Sequence, residues 1–167
     1  MKNVTVVVVY IFGLITGILA TGFLINISAE TVLLKEMASP YDFEKTVEVL
    51  AKRINSTKNW HVTAVIDQAA EVKGHGEGDI GKLKIVQYCS GKYAYEVLAD
   101  DNRKKISVMM PKTFSVYEKN DGRVYIAVMN GSFVGKIFKG ETYEILEKVS
   151  LEVEALLNFI NFKFSLF

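Results

Sequence analysis

Few side chains in this sequence can do acid–base, nucleophilic or metal chemistry near neutral pH, and they are scattered along it. His61 and His75 are its two histidines, and Cys89 is its one thiol. A thiol enzyme would need Cys89, a histidine as base and Asp100 or Asp101 as orienting acid within hydrogen-bond reach, and nothing in their spacing enforces that meeting. A softer set is more suggestive: Cys89, the pair Met109 and Met110 before Pro111, and Met129. Thiolate and thioether ligands suit copper(I) or haem iron, so these four residues are the candidate ligand-binding set, with haem or copper as the possible cofactor. Methionines and a single cysteine serve equally well as core filler. No GxSxG elbow, HExxH pair or Walker A loop is present. The glycine-rich run from Gly74 to Gly81 lacks GxGxxG spacing, and Glu77 and Asp79 within it repel phosphate, so it reads as a surface loop.

These residues belong to a chain of 167 residues, 50% hydrophobic and 23% charged, a length suited to one domain. Twenty Lys and Arg face nineteen Asp and Glu, for a net charge of +1. That balance lacks the basic excess of a nucleic-acid binder and the acidic excess of a disordered tail. Two prolines and one cysteine exclude collagenous and disulfide-rich classes. The mean hydropathy of +0.19 is high for a soluble domain, and the apolar excess sits mostly at the amino end.

No charged residue occurs from Asn3 to Ala29, and Val4 to Ile27 is long enough to cross a hydrocarbon core, which takes about 20 apolar residues. Residues 1–29 therefore read as a transmembrane anchor. Within lipid the backbone must satisfy its own polar groups, so this span is expected to be helical despite the valine run Val6 to Val9. The competing reading is a secretory signal cut after Ala29, against which stands an apolar region longer than signals usually carry. Lys2 before the span and the more distant Lys35 and Lys45 after it favour a cytoplasmic amino terminus and an extracytoplasmic main domain. The triplets beginning at Asn55 and Asn130 are then compatible with glycosylation. Gly13, Gly17 and Thr21 form a ridge of small residues that would admit another helix, or simply face lipid.

Residues 30–38 read as a tether. Ser39 as N-cap with Pro40 at the first helical position, followed by Asp42 and Glu44, starts a helix whose inward face is Phe43, Val47, Leu50, Ala51 and Ile54. His61 to Asp67 alternates around Val62, Ala64 and Ile66 as a strand, and Lys82 to Cys89 is a second. A helix is expected from Lys92 to Ala99. The segments Thr113 to Glu118 and Arg123 to Met129 bracket Asn120, Asp121 and Gly122 as an antiparallel hairpin. Ile145, Leu146, Val149, Val153, Leu156, Leu157 and Ile160 form the stripe of a final helix. These elements fit an α+β domain over residues 39–157, with a roughly four-stranded, largely antiparallel sheet against helices. The aromatic tail at 158–167 is too short to span a bilayer and would pack on the domain, lie at an interface or fill a partner's groove.

Several stretches together resemble a known family: Ser39 to Val47, the strand end Val65, Ile66 and Asp67, the run from Tyr88 and Cys89 to Leu98, the triplet Met109, Met110 and Pro111, and Val116 to Glu118 followed by Asp121 to Tyr125. From about Ser39 to Val153 the chain resembles the domain-of-unknown-function 302 family. The resemblance implies a compact α+β domain, joined in some members to membrane or redox modules, and assigns no reaction. Cys89 matches a family cysteine, but Ser90 and Gly91 stand where Asn and Pro are common, and Lys112 stands where many members carry a second cysteine. A dithiol switch or two-thiolate site, which needs both sulfurs, is not expected here. The resulting expectation is a single-pass, membrane-anchored, non-enzymatic binding domain. Its expected partners are the membrane and other subunits of a membrane complex, or a second copy through the first helix.

Overall fold

The computed structural model describes residues 2–160. Two compact units follow one another in the chain, residues 1–33 and 34–167. The first is one helix, α1 (Lys2–Leu33), whose stretch Val4–Phe23 has a mean hydropathy of 2.4 and buries none of its side chains. One helix of this protein is thus apolar and long enough to cross a membrane.

The second unit is α+β. Its elements are β1 (Leu34–Ala38), α2 (Phe43–Ser56), β2 (Trp60–Asp67), α3 (Gln68–Gly74), β3 (Leu83–Ser90), α4 (Gly91–Leu98), a 3₁₀ helix (Asp101–Met109), β4 (Lys112–Glu118), β5 (Val124–Met129), α5 (Gly131–Gly135) and α6 (Gly140–Leu156). The strands form one antiparallel sheet in the order β1-β5-β4-β3-β2. The sheet has five strands, one more than the sequence suggested. The extra strand is β1, which lies inside the expected tether at 30–38 and pairs with β5 from Leu34↔Met129 to Ala38↔Tyr125. LKEMA shows little hydrophobic contrast, and only the free edge of β5 makes a strand of it. Met37 packs on the core and Lys35 ion-pairs with Glu154 of α6 at 2.8 Å.

The helix start also shifts. Asp42, not Ser39, caps α2, its Oδ1 accepting the Lys45 N–H at 2.8 Å. Ser39 instead bonds the buried Thr46 hydroxyl at 2.6 Å, which holds Pro40 outside the helix. In β2 the register slips between Val62 and Ala64. Val62 is opposite Tyr88 and Ala64 opposite Gln87, and across this bulge Val62, Ala64 and Ile66 remain the more covered residues of the strand while Thr63 and Val65 are exposed. The hairpin is as expected, with Gly122 at φ 76° in the left-handed region that its turn requires.

One face of the sheet is covered. Val86, Tyr88, Phe114, Val116, Ile126 and Val128 are buried there against residues such as Leu50 and Ile54 of α2 and Val149 and Val153 of α6. On the other face Glu36, His61 and Met129 are exposed. Arg53 of α2 donates to the carbonyls of Leu156 and Ala155 at 2.7 and 3.1 Å, satisfying the C-terminal end of α6. Of the aromatic tail at 158–167, residues 161–167 lie outside the described residues; Phe159 stacks on Tyr41 and Ile160 is buried.

Candidate functional site

Strand alternation places Lys112 in phase with Phe114 and Val116, on the covered face. Its direct cross-strand partner is Tyr88, so the two Cβ atoms lie about 4.5–5.5 Å apart. Lys35 of β1 shares this face, opposite the buried Val128. Beneath these residues and α6 lies a cavity of about 230 Å³. Apolar walls come from Met109, Val128, Val153 and Leu157, while the exposed Val108 and Met129 mark its mouth.

Two polar residues of this lining have a side-chain group without a partner among the described residues. Tyr88 is fully buried, its ring stacked on Phe114 with centroids 4.6 Å apart and tilted against Trp60 at 5.7 Å. Its hydroxyl is enclosed by protein and has no hydrogen-bond partner among the described residues, and burial pushes the phenol pKa up. Lys112 is half-buried and, among the described residues, makes no hydrogen bond or ion pair. Burial pulls its ammonium below the usual lysine range. The other charges in the lining, Lys35 and Glu154, are paired with each other. The wall of this cavity therefore includes one lysine without a counter-ion among the described residues, next to a tyrosine whose hydroxyl is enclosed in the protein.

A second cavity, of about 40 Å³, shares Tyr88, Met109 and Lys112 with the first and adds Cys89 and Met110. It has room for a few waters and none for a haem macrocycle. Here Trp60 Nε1 and Tyr93 Oη both donate to Glu152 of α6 at 2.6 Å. That bond to the Glu152 carboxylate, followed by burial, pushes the Tyr93 phenol up to about 12.

The sulfur set is divided by this arrangement. Cys89, Met109 and Met110 reach the smaller cavity, whereas Met109 and Met129 reach the larger. Cys89 and Met129 share one end of the sheet, but β4 separates their strands, an offset of about 10 Å at the backbone. Cys89 lies opposite His61 across β2 and β3, and no hydrogen bond joins thiol to imidazole. His75 Nδ1 lies 2.8 Å from the carbonyl of Glu71. Asp100 accepts from the Asn102 N–H at 2.8 Å and Asp101 pairs with Lys104 at 2.5 Å, so both acids are engaged away from Cys89. Among the described residues no cluster of three or more His, Cys, Asp or Glu has metal-site geometry.

The remaining candidate positions are placed as follows. Asn55 accepts from the Val62 N–H at 2.9 Å, and Asn130 caps α5 by accepting from the Phe133 N–H at 3.3 Å. Gly13, Gly17 and Thr21 line one shallow groove along α1. Tyr88, Lys112 and Glu152 were not among the candidate site residues read from the sequence. Lys112 had a readable signal, a charge in register with Phe114 and Val116. Tyr88 and Glu152 had none, because their surroundings come from distant elements.

The fold is similar to that of a conserved DUF302 protein from Bacillus stearothermophilus, known from its crystal structure. The TM-score is 0.67 at 17% identity, covering 77% of this chain and 98% of that one. At that identity the likeness concerns the fold alone. A comparison with curated proteins finds no match. The family model for the domain of unknown function DUF302 matches residues 35–160, most of the chain and the whole of the sheet but Leu34, and on that match the chain belongs to the DUF302 family.

Proposed function

We propose that this protein is a single-pass, membrane-anchored binding domain that works without catalysing a reaction, as an accessory subunit of a membrane complex. The observation that carries the reading is the helix Val4–Phe23, 20 residues of mean hydropathy 2.4 with no buried side chain. Exposing such a surface to water would cost on the order of 25 cal/mol per Å², so lipid is its natural surrounding. Lys2 ahead of the span supports a cytoplasmic amino terminus, which leaves residues 34–160 on the far side. The α+β unit supports a binding role through a cavity with apolar walls and few polar groups, the usual make-up of a ligand site.

Membrane fractionation tests the anchor. The full chain should sediment with membranes, resist high salt and carbonate, and be released by mild detergent with an intact mass that includes residues 1–29. Mature protein beginning near Glu30, or full-length chain recovered from aqueous extract without detergent, would refute it. Protease added to intact cells with the outer layers opened should degrade the 34–160 unit, and its protection would reverse the orientation. Co-purification in mild detergent tests the subunit role, and a strictly monomeric, partner-free protein would count against it.

A further inference from the structure

We propose that the end of the sheet at which the chain arrives from α1 is an interfacial surface that docks on an anionic lipid bilayer. Leu34, Val108, Met129, Phe133 and Ile137 sink among the headgroups, while Lys105, Lys136 and Lys139 meet the lipid phosphates. This inference rests on the reading of α1 as a membrane anchor and adds the surface by which the α+β unit meets the same membrane.

The topology gathers these residues at one end. β1 starts at Leu34, directly after α1 ends at Leu33, and Leu34 pairs with Met129, the last residue of β5. The antiparallel register brings the start of β4 at Lys112 to the same end, and with it the 3₁₀ helix that leads into β4. Val108 of that 3₁₀ helix borders the larger cavity together with Met129. The chain leaves β5 here into α5, which carries Phe133, and Ile137 follows in the next turn, its N–H donating to the carbonyl of Val134 at 3.1 Å. All five apolar side chains are exposed, Val108 at 88% and Ile137 at 67%. A grouping of this kind marks an interaction site more often than a bare surface. At the opposite end of the sheet lie Asp67, Lys82, Glu118, Asp121 and Arg123, charges of both signs that suit water.

Charge selects lipid as the partner. The two segments that carry the apolar side chains after Leu34, Asn102 to Lys112 and Met129 to Lys139, hold six Lys and Arg and no Asp or Glu, in a chain whose net charge is +1. Arg103 and Lys104 are held by Glu141 and Asp101. Lys105, Lys136 and Lys139 are exposed and make no ion pair among the described residues. Apolar side chains interspersed with unpaired lysines suit the boundary between acyl chains and anionic headgroups. A second copy meeting through the same patch would instead set lysine against lysine. The length of the connection agrees with this partner. The apolar stretch ends at Ile27 and α1 stays helical to Leu33, so Leu34 lies about 10 Å further along the chain. The headgroup layer is itself roughly 5–8 Å deep on each side, and so short a connection keeps the entry end beside it.

The test uses the full chain in nanodiscs, with ¹³C-labelled isoleucine and methionine methyl groups and a nitroxide on a small share of the lipid headgroups. Ile137 and Met129 report on the patch, and the exposed Ile80, just ahead of β3 at the opposite end, is the control. In discs containing phosphatidylglycerol the Ile137 and Met129 signals should be strongly attenuated and Ile80 spared. Phosphatidylcholine alone, or high salt, should weaken that attenuation. The variant combining Lys105→Glu, Lys136→Glu and Lys139→Glu should lower the ratio of docked to undocked unit by at least about 10-fold, since one lysine near an anionic surface contributes about fivefold. Phe133→Asp should act in the same direction. If Phe133→Asp does not fold, the lysine variant decides, because its three side chains are exposed and unpaired. Absence of attenuation, equal attenuation at Ile80, or attenuation unchanged in the lysine variant would each overturn the inference. Changes at Ile137 that follow the number of chains per disc and ignore lipid charge would assign the patch to a second copy and overturn it too. Failure of the anchoring reading looks different: protein beginning near Glu30 would leave the membrane fraction. Its salt-sensitive sedimentation with phosphatidylglycerol vesicles would preserve this surface, and failure to sediment would sink it. Full chain retained in the disc with Ile137 and Met129 unattenuated would sink the docking surface alone.

Discussion

Two cross-strand pairs, one residue apart along β3, meet very different surroundings. Tyr88 and Lys112 face the helices, where the tyrosine is fully buried and the lysine has no counter-ion among the described residues. In Cys89 and His61, the next pair across, the histidine is exposed on the other face and the half-buried cysteine borders the smaller cavity. Strand alternation alone separates them. The histidine, with the more familiar catalytic chemistry, lies on the open face, while the buried Tyr88 hydroxyl lies on the face that α6 covers. Reactivity of residue type is therefore a poorer guide to the site here than the environment that a strand's two-residue period imposes.

The largest test of that contrast is the floor of the covered face. Phe114→Ala removes a fully buried ring stacked on Tyr88 and should cost about 3–5 kcal/mol in denaturant unfolding. Met129→Ala, at the exposed rim, should cost under about 1 kcal/mol in the same assay. Equal losses would erase the distinction between faces.

Next in size is Glu152→Ala, which leaves Trp60 Nε1 and Tyr93 Oη without their acceptor and should destabilise by roughly 2 kcal/mol. The same change should let Tyr93 titrate well below its present value of about 12, as seen by phenolate absorbance. The linkage sign is definite: a phenol raised above its unfolded value of 10.0 stabilises fully below that pH and loses the contribution as pH rises towards about 12. Wild-type stability should therefore fall over that alkaline window, and less steeply in the variant.

Tyr88→Phe should move stability the other way, raising it by about 1 kcal/mol, since the hydroxyl it deletes is buried without a partner. Cys89→Ala, one residue along, should lower stability by no more than about 1 kcal/mol. A loss of stability in Tyr88→Phe would mean that the hydroxyl is satisfied after all.

The smallest effect concerns the open face. Glu36 of β1 accepts hydrogen bonds from Lys119, at 2.7 Å, and from Tyr117, and these hold its carboxyl below the usual value of 4.5. A depressed carboxylate stabilises above its unfolded pKa and loses that contribution as pH falls through the folded one. Glu36→Gln should lower stability slightly at neutrality and flatten the acid limb below about pH 4.5 by the same small amount, because the group is solvent-screened. An unchanged acid limb would show that β1 gains nothing from this contact.

Much of the fold was legible because its signals are local. The hairpin at Asp121 and Gly122, the stripe of α6 and the apolar run of α1 each announce themselves within a short window. What escaped lacks such a window. LKEMA becomes a strand by completing an edge, α3 buries no residue and so has no stripe, and the 3₁₀ helix buries only Ile106. Of the candidate site, Cys89 and the three methionines drew attention by element type, and the structure distributes them over two cavities and a strand separation.

Composition and periodicity by themselves determined that the chain has an apolar first helix, an α+β unit of alternating strands and amphipathic helices, and no local catalytic motif. Those properties depend on neighbours within a few positions, where one helical turn or one strand repeat is enough to display them. Only tertiary structure decided that, among the described residues, Lys112 would have no counter-ion and the Tyr88 hydroxyl no partner, and that Glu154 would be taken by Lys35. Each of these depends on which groups, 24 to 119 positions apart in the chain, the fold brings together, and burial, not residue type, settles it.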